Sequence, residues 1–349
     1  MEIIHLLTMT LKKIATELNL SFSTVSKALR DSHEISEGTK KLVLAKAKEL
    51  NYQVNPFASS LRKQKSKTIA VVIPEVVNDF FGPVINGIES IAQEKGYHVL
   101  IYLTHEDMKK EVAITKLLQN GRVDGVLISI SEKTSDALHL EELKEKEIPL
   151  VFFDRVVEHM DSPKVTTDDY NSGAKATEHL IENGCKHIAF LSISQSLSIS
   201  NKRMNGYLDA LRKNNLEIDN SMIIDCPGYD EKNKNIIRQL LKRKKRPDGI
   251  FASVEKLAID TYEICEELKL NIPNDVKVIC FSNLKTAGFL NPSMTTITQP
   301  AFEIGREAAA ILFKLVEKKG HHFLLEKTVI NSKLIERNST KRSDQRSAV

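Results

Sequence analysis

TLKKIATELNLSFSTVSKAL, residues 10–29, decides how the rest of the chain is read. Thr10 is placed to cap a first helix in which Ile14, Ala15 and Leu18 recur at helical spacing. Asn19 then falls where the chain must turn sharply. Such a turn wants positive φ, which Asn tolerates best after Gly. Ser21 is a natural N-cap for a second helix that buries Val25, Ala28 and Leu29. Phe22, Ser23, Thr24, Ser26 and Lys27 are left facing outward, near the end of a helix that can enter a DNA major groove. An ordinary helical hairpin within a core is the other reading of this stretch.

The 349 residues are enough for two or three domains, and 41% hydrophobic with 28% charged residues describes a globular chain. The N-terminal IIHLL is too short for a signal peptide or a span, so a cytoplasmic location is expected. Residues 1–67 hold 12 Lys/Arg against 6 Asp/Glu, and with a net charge of +4 the remainder carries about −2. A basic head on a near-neutral body points to a polyanionic partner for the head alone. Cys185, Cys226, Cys265 and Cys280 lie far apart with no Cys-x-x-Cys pair, as expected of buried, reduced thiols.

Ser36 caps a third helix running to about Leu50, with Val43, Leu44, Ala47 and Leu50 on its apolar face. Asn55-Pro56 is a helix-start signal, but that helix can run only to about Arg62, and so short a helix is marginal on its own. From Thr68 onward strands alternate with amphipathic helices. TIAVVIP, HVLIYLT, DGVLISI, LVFFDR, CKHIAFLSI, MIIDC, DGIFAS, VKVICFS, TTITQP and LLEKTVINSKLI read as strands. That alternation argues for parallel sheets with right-handed crossovers. About ten strands exceed one comfortable core, which implies two similar lobes with a ligand cleft between them. The expected organisation is a helix-turn-helix domain over 1–54, a hinge helix and linker over 55–67, a two-lobed domain over 68–340 and a polar tail over 341–349. Lobe 1 takes about 68–164 plus 295–325, and lobe 2 about 165–294 plus 326–338.

LKKIATELNLSFSTVSKAL, ISEGTKKLVLAKAKELNYQVNPFASSLR and TIAVVIP resemble the LacI/GalR family of bacterial transcriptional regulators. VFFDR, RMNGYLDAL, IPNDVKVICFSN and NPSMTTITQP continue the likeness in order, so that it spans residues 10–335. The resemblance implies an all-α helix-turn-helix headpiece with a hinge helix, followed by an α/β two-lobed, periplasmic-binding-protein-like domain with parallel sheets. It implies a homodimeric, sequence-specific repressor of carbohydrate-utilisation genes on near-palindromic double-stranded DNA, controlled allosterically by a small effector such as a sugar. Carried onto this chain, Phe22, Ser23 and Lys27 are base readers, while Thr10, Ser21, Thr24 and Ser26 join the DNA-binding set as positioning groups. Asn55, Ala58 and Leu61 match the hinge helix, whose leucines wedge into a minor-groove step, with Arg62 following along the phosphates. Leu61 packed on its own domain is the alternative.

Ligands of open α/β sheets lie beyond the carboxyl ends of the strands. That rule gathers Asn78, Asp79, Phe80, Phe81, Asp154, Arg155, Glu255, Ser282 and Asn283 around one cavity. Arg203 matches the family's ligand-gripping arginine; a structural salt bridge is its other role, and core packing is the other role of Phe80 and Phe81. The family has an acidic residue where Ser282 stands and an Asn-Asp pair where Val254-Glu255 stands, so the ligand is expected to differ. There is no Gly-x-Gly-x-x-Gly, phosphate loop or Gly-x-Ser-x-Gly elbow, and Glu178-His179 lacks a second histidine. No enzyme activity, catalytic residue, cofactor, metal or membrane partner is therefore expected. KRKKR at 242–246 complements a helix dipole or forms a second nucleic-acid patch. Two rival readings remain: a DNA-binding regulator whose second domain only dimerises, and a plain solute-binding protein.

Overall fold

The computed structural model describes residues 11–52, 66–77, 79–134, 136–194, 196–227, 231–317 and 326–341. Thr10, Asn55, Ala58, Leu61, Arg62 and Asn78 lie outside the described residues, as does most of the expected hinge helix and polar tail. The chain divides into two units, Met1–Gln64 and Lys65–Val349.

In the first unit, helix α1 covers 11–17, α2 Phe22–Ala28 and α3 Glu37–Glu49. Asn19 has φ 54°, the left-handed turn conformation that its position calls for. Ser21 Oγ accepts the Thr24 N–H at 3.0 Å and Ser36 Oγ accepts the Thr39 N–H at 3.3 Å, so both caps satisfy donors that a helix start leaves open. Ile14, Ala15, Val25, Ala28, Val43 and Ala47 form the core. Leu44, expected in it, is 53% exposed. Three short helices bury only a narrow stripe of α3, and Val43 and Ala47 at i, i+4 fill it.

The second unit contains two six-stranded sheets. The first has the order β11-β5-β4-β3-β1-β2, from Thr68–Ile73 (β1), His98–Leu103 (β2), Val126–Ile128 (β3), Leu150–Phe153 (β4), Lys164–Thr167 (β5) and Lys327–Ile330 (β11). The second has the order β12-β10-β9-β8-β6-β7, from Ile188–Ser192 (β6), Ile223–Asp225 (β7), Gly249–Ala252 (β8), Lys277–Phe281 (β9), Thr295–Thr298 (β10) and Lys333–Ile335 (β12). Every pairing is parallel except β10 with β12. Helices α4 (Phe81–Glu94), α5 (Met108–Leu118), α6 (Leu138–Glu145) and α11 (Ala301–Glu317) belong to lobe 1. Helices α7 (Asp169–Glu182), α8 (Ser198–Lys213), α9 (Glu231–Leu241) and α10 (Glu255–Glu267) belong to lobe 2.

The lobe boundaries differ from those read in the sequence. The chain crosses after β5, after β10 and between β11 and β12, so 295–298 belong to lobe 2 and 327–330 to lobe 1. Strand β5 was not anticipated at all. Its Lys164 is buried, and its ammonium donates to the carbonyls of Glu158 (3.1 Å) and Met160 (2.6 Å), so a charged residue sits inside the sheet with two of its three donors on carbonyls.

Close approach of helix backbones sets the position of α8. A Cβ at Gly206 would lie 2.1 Å from the Tyr170 carbonyl oxygen, and one at Gly173 would lie 2.5 Å from that of Arg203. Only glycine lets α7 and α8 touch backbone to backbone, and that contact delivers Arg203 to the cleft.

Candidate functional site

The outward face of α2 is the candidate DNA interface. Ser21 Oγ lies 2.7 Å from Ser23 Oγ and 2.8 Å from Thr24 Oγ1, a hydroxyl cluster at the helix start. Phe22 is exposed. Lys27 is exposed too, but its ammonium is paired with the Glu34 carboxylate, which holds that carboxyl below its ordinary range. Ser26 is engaged by the turn that follows its helix, where Arg30 donates to its hydroxyl and, at 3.0 Å, to its carbonyl. Lys12, Lys41 and Lys48 form no ion pair among the described residues.

The candidate effector site is a cleft of about 410 Å³ between the lobes. In lobe 1 the chain order reverses between β1 and β3, and in lobe 2 between β6 and β8. Crevices form at such switch points, because the loops on either side leave in opposite directions. Phe80 and Phe81 follow β1 at the start of α4, pack edge to face with centroids 5.3 Å apart, and are buried while lining the cleft. They serve as core and wall at once. Asp79 was expected beside them, but the turn that buries the two rings leaves it exposed and outside the lining. It reaches the cleft only through its field, which raises the Glu255 carboxyl.

Asp154 follows β4 at φ 58°, a left-handed conformation that Asp tolerates through local hydrogen bonding. Ser129 Oγ donates to its Oδ2 at 3.4 Å, and burial pushes its carboxyl up to about 6. The neighbouring Arg155 donates to both Glu106 oxygens, at 2.7 and 3.0 Å. Arg203, on α8, has its guanidinium 3.7 Å from the centre of the Phe281 ring. Its Nε donates to Asp169 Oδ1 at 2.8 Å and its Nη1 to the Ser253 carbonyl at 2.6 Å. Arg203 is thus both salt-bridged and part of the cleft wall.

Ser282 donates to Glu255 Oε2 and accepts the Leu284 N–H at 3.0 Å. Burial still raises the Glu255 carboxyl, and the Ser282 hydrogen bond pulls against it. Asn283 Nδ2 donates to the Gln299 carbonyl at 2.7 Å, while Gln299 Nε2 donates to Thr167 Oγ1 at 3.2 Å across the lobe crossing. Gln299, Phe281 and Ile199 also line the cleft and were missed in the sequence. Gln299 was findable, because it follows β10 immediately and the carboxyl-end rule applies there as elsewhere.

Two family models match the chain. Residues 10–55 match "Bacterial regulatory proteins, lacI family", and residues 66–338 match "Periplasmic binding proteins and sugar binding domain of LacI family". The chain belongs to the LacI family. LacI-family relatives of similar length include the transcriptional repressor PurR of Photobacterium profundum, 30% identical over 334 residues, covering 95% of this chain and 98% of that protein. Catabolite control protein A of Priestia megaterium is 28% identical over 311 residues, covering 89% of this chain and 93% of that protein. Among solved structures, a LacI-family regulator of Enterococcus faecium with bound ribose superposes with a TM-score of 0.68 at 27% identity, covering 78% of this chain and 98% of that one. Membership makes this protein a DNA-binding transcriptional regulator rather than an enzyme. Among the described residues no helix is long and apolar enough to cross a membrane.

Proposed function

We propose that this protein is a homodimeric repressor of carbohydrate-utilisation genes whose hold on a near-palindromic operator is set by a sugar or sugar derivative in the cleft. The observation that carries the reading is the cleft itself. An aromatic pair, a buried carboxyl and a fixed guanidinium converge at the switch points of both sheets. Aromatic rings suit the CH faces of a carbohydrate, and Asp154 and Asn283 suit its hydroxyls. Phe22, Ser23 and Lys27 read base edges, and Ser21, Thr24 and Ser26 fix register on phosphates. Lys27 exchanges Glu34 for a base acceptor on docking. Asn55, Ala58, Leu61 and Arg62 form the hinge that pairs between protomers, and effector binding alters the spacing on which that pairing depends. The β2 edge of lobe 1, with Leu100 and Ile101 exposed, supports a dimer face, since an uncovered apolar edge strand invites pairing.

Thermal melting of the full chain with a panel of sugars and sugar derivatives tests the sensing step. A true effector at about 100 times its Kd adds about 2.7 kcal/mol. Operator selection from a random duplex pool, followed by sedimentation of the complex, tests the rest. A lone protomer that selects no palindrome overturns the reading.

A further inference from the structure

A second cavity of about 480 Å³ adjoins the first, with Arg155 and Val254 lining both. Lobe 1 contributes Glu75, Glu106 and Glu132 to it, and lobe 2 contributes Lys256. Among the described residues the two cavities are lined by five carboxylates and three cations. Both guanidiniums are already matched, Arg203 by Asp169 behind the wall and Arg155 by Glu106. Glu106 is occupied further by the Glu132 N–H, at 2.7 Å. The carboxylates of Glu75 and Glu132 form no hydrogen bond or salt bridge among the described residues. Both are half-buried, and burial together with the nearby Glu106 charge holds both carboxyls above their ordinary range. Among the described residues a cleft in this condition keeps no spare guanidinium for a phosphate or carboxylate and has two unpaired carboxyls to offer.

We propose that the effector is a polyhydroxyl compound bearing a basic amine, an amino sugar in the simplest case. Its ring lies against Phe80, Phe81 and Asp154, and its ammonium enters the compartment of Glu75 and Glu132. The proposal rests on the effector reading above and narrows it to one charge class. The ammonium supplies the counter-charge that the two glutamates lack, while the ring keeps the aromatic wall and the hydroxyl partners. Lys256 does not cancel this preference: Arg155 and Lys256 lower Glu75, and Arg155 and Lys133 lower Glu132, but burial and the Glu106 charge still hold both carboxyls above their ordinary range.

The test is calorimetry and thermal melting of the full chain at pH 7.5 with matched triplets: glucosamine, glucose and glucose 6-phosphate, then the galactose and mannose sets. At least one amine should bind tenfold or more tighter than its parent sugar, with its phosphate partner not binding. The Glu75→Gln/Glu132→Gln double variant should lose about tenfold in affinity for the amine and keep its affinity for the parent sugar; Glu132→Gln alone serves if the double variant does not fold. A parent sugar or phosphate that binds as tightly as the amine overturns the charge class and leaves the effector site standing. Unchanged amine affinity in the glutamine variants overturns the compartment. If no compound binds or raises the melting temperature, the effector reading falls, and this proposal with it.

Discussion

The two lobes are copies over five parallel strands and opposites at the cleft. Both sheets place their first strand second from one edge and step outward from it in the same order. Lobe 2 then presents a wall whose polar groups are fixed from behind, with Arg203 held by Asp169, the Ser253 carbonyl and the Phe281 ring. Lobe 1 presents two aromatic rings and an acid whose carboxyl burial pushes up to about 6, while its arginine is drawn aside to Glu106. The difference teaches that a shared fold dictates where a cleft opens but not how stiff either wall is. Stiffness comes from what each arginine is tied to. Arg203 and Asp169 sit on two helices in backbone contact, whereas Arg155 and Glu106 sit on loops.

The largest test separates the two arginines. Asp169→Ala leaves the Arg203 guanidinium buried without its counter-charge, and loss of one partner of a buried pair costs about 3–5 kcal/mol. Glu106→Ala should cost less, because Arg155, although buried as well, sits on a loop that can shift and borders both cavities where Arg203 borders one. Urea denaturation of both variants measures the gap, and equal losses break the comparison. Next in size is Gly206→Ala, whose methyl would meet the Tyr170 carbonyl at 2.1 Å and force α7 and α8 apart. Overpacking of this kind costs about 3 kcal/mol. Gly87→Ala in lobe 1 meets the Phe302 carbonyl at the same 2.1 Å, so a similar loss is expected. The two should part only in effector affinity, which drops for Gly206→Ala because Arg203 moves with α8.

Much of this contrast could be read in the sequence, and the unread part has physical reasons. Local chemistry was legible: the Asn19 turn, the Ser21 and Ser36 caps, and the apolar strands that carry Phe80, Asp154 and Ser282 to one end of the sheets. The lobe crossings were not, because β10 and β11 are equally suited to either sheet and nothing local distinguishes them. Strand β5 was hidden by Lys164, whose buried ammonium depends on two carbonyls contributed by a loop. For Arg203 and for the Phe80–Phe81 pair, sequence posed structure and binding as alternatives. A side chain on a cleft wall has two faces, and each of these groups uses one for the core and one for the cavity.

The two acids of the cleft sharpen the comparison through pH. The Asp154 carboxyl titrates at about 6 in the folded chain against 3.8 ordinarily, so the native state binds its proton more tightly than the unfolded chain does. Its contribution to stability is therefore full below about pH 4 and is lost as pH rises through 6. A shift of about two units corresponds to about 3 kcal/mol. Asp154→Asn keeps the left-handed backbone and removes the titration. The variant should match wild type near pH 4 and exceed it by about 2–3 kcal/mol at pH 7.5. Parallel stability curves across that range would show that the acid is not held up by its surroundings. The same variant should lose effector affinity at pH 7.5, which identifies the strain as a cost kept for binding.

The smallest effect compares two serines, each beside a cleft acid. Both serines donate to the acid and accept an amide: Ser282 stands between Glu255 and the Leu284 N–H at 3.0 Å, Ser129 between Asp154 and the Arg155 N–H, each at 3.4 Å. Ser282→Ala removes two close hydrogen bonds, a loss of about 1–2 kcal/mol, while Ser129→Ala removes two long ones and should cost under about 1 kcal/mol. The pH signature carries more weight than the size. Ser282 is the largest influence lowering the Glu255 carboxyl, so its removal should move that carboxyl further up. NMR titration of the side-chain carboxyl would record the move, with little change at Asp154. If Ser129→Ala shifts Asp154 as far as Ser282→Ala shifts Glu255, the lobe 1 acid is held as firmly as its counterpart, and the stiff wall and the adjustable wall are the same wall.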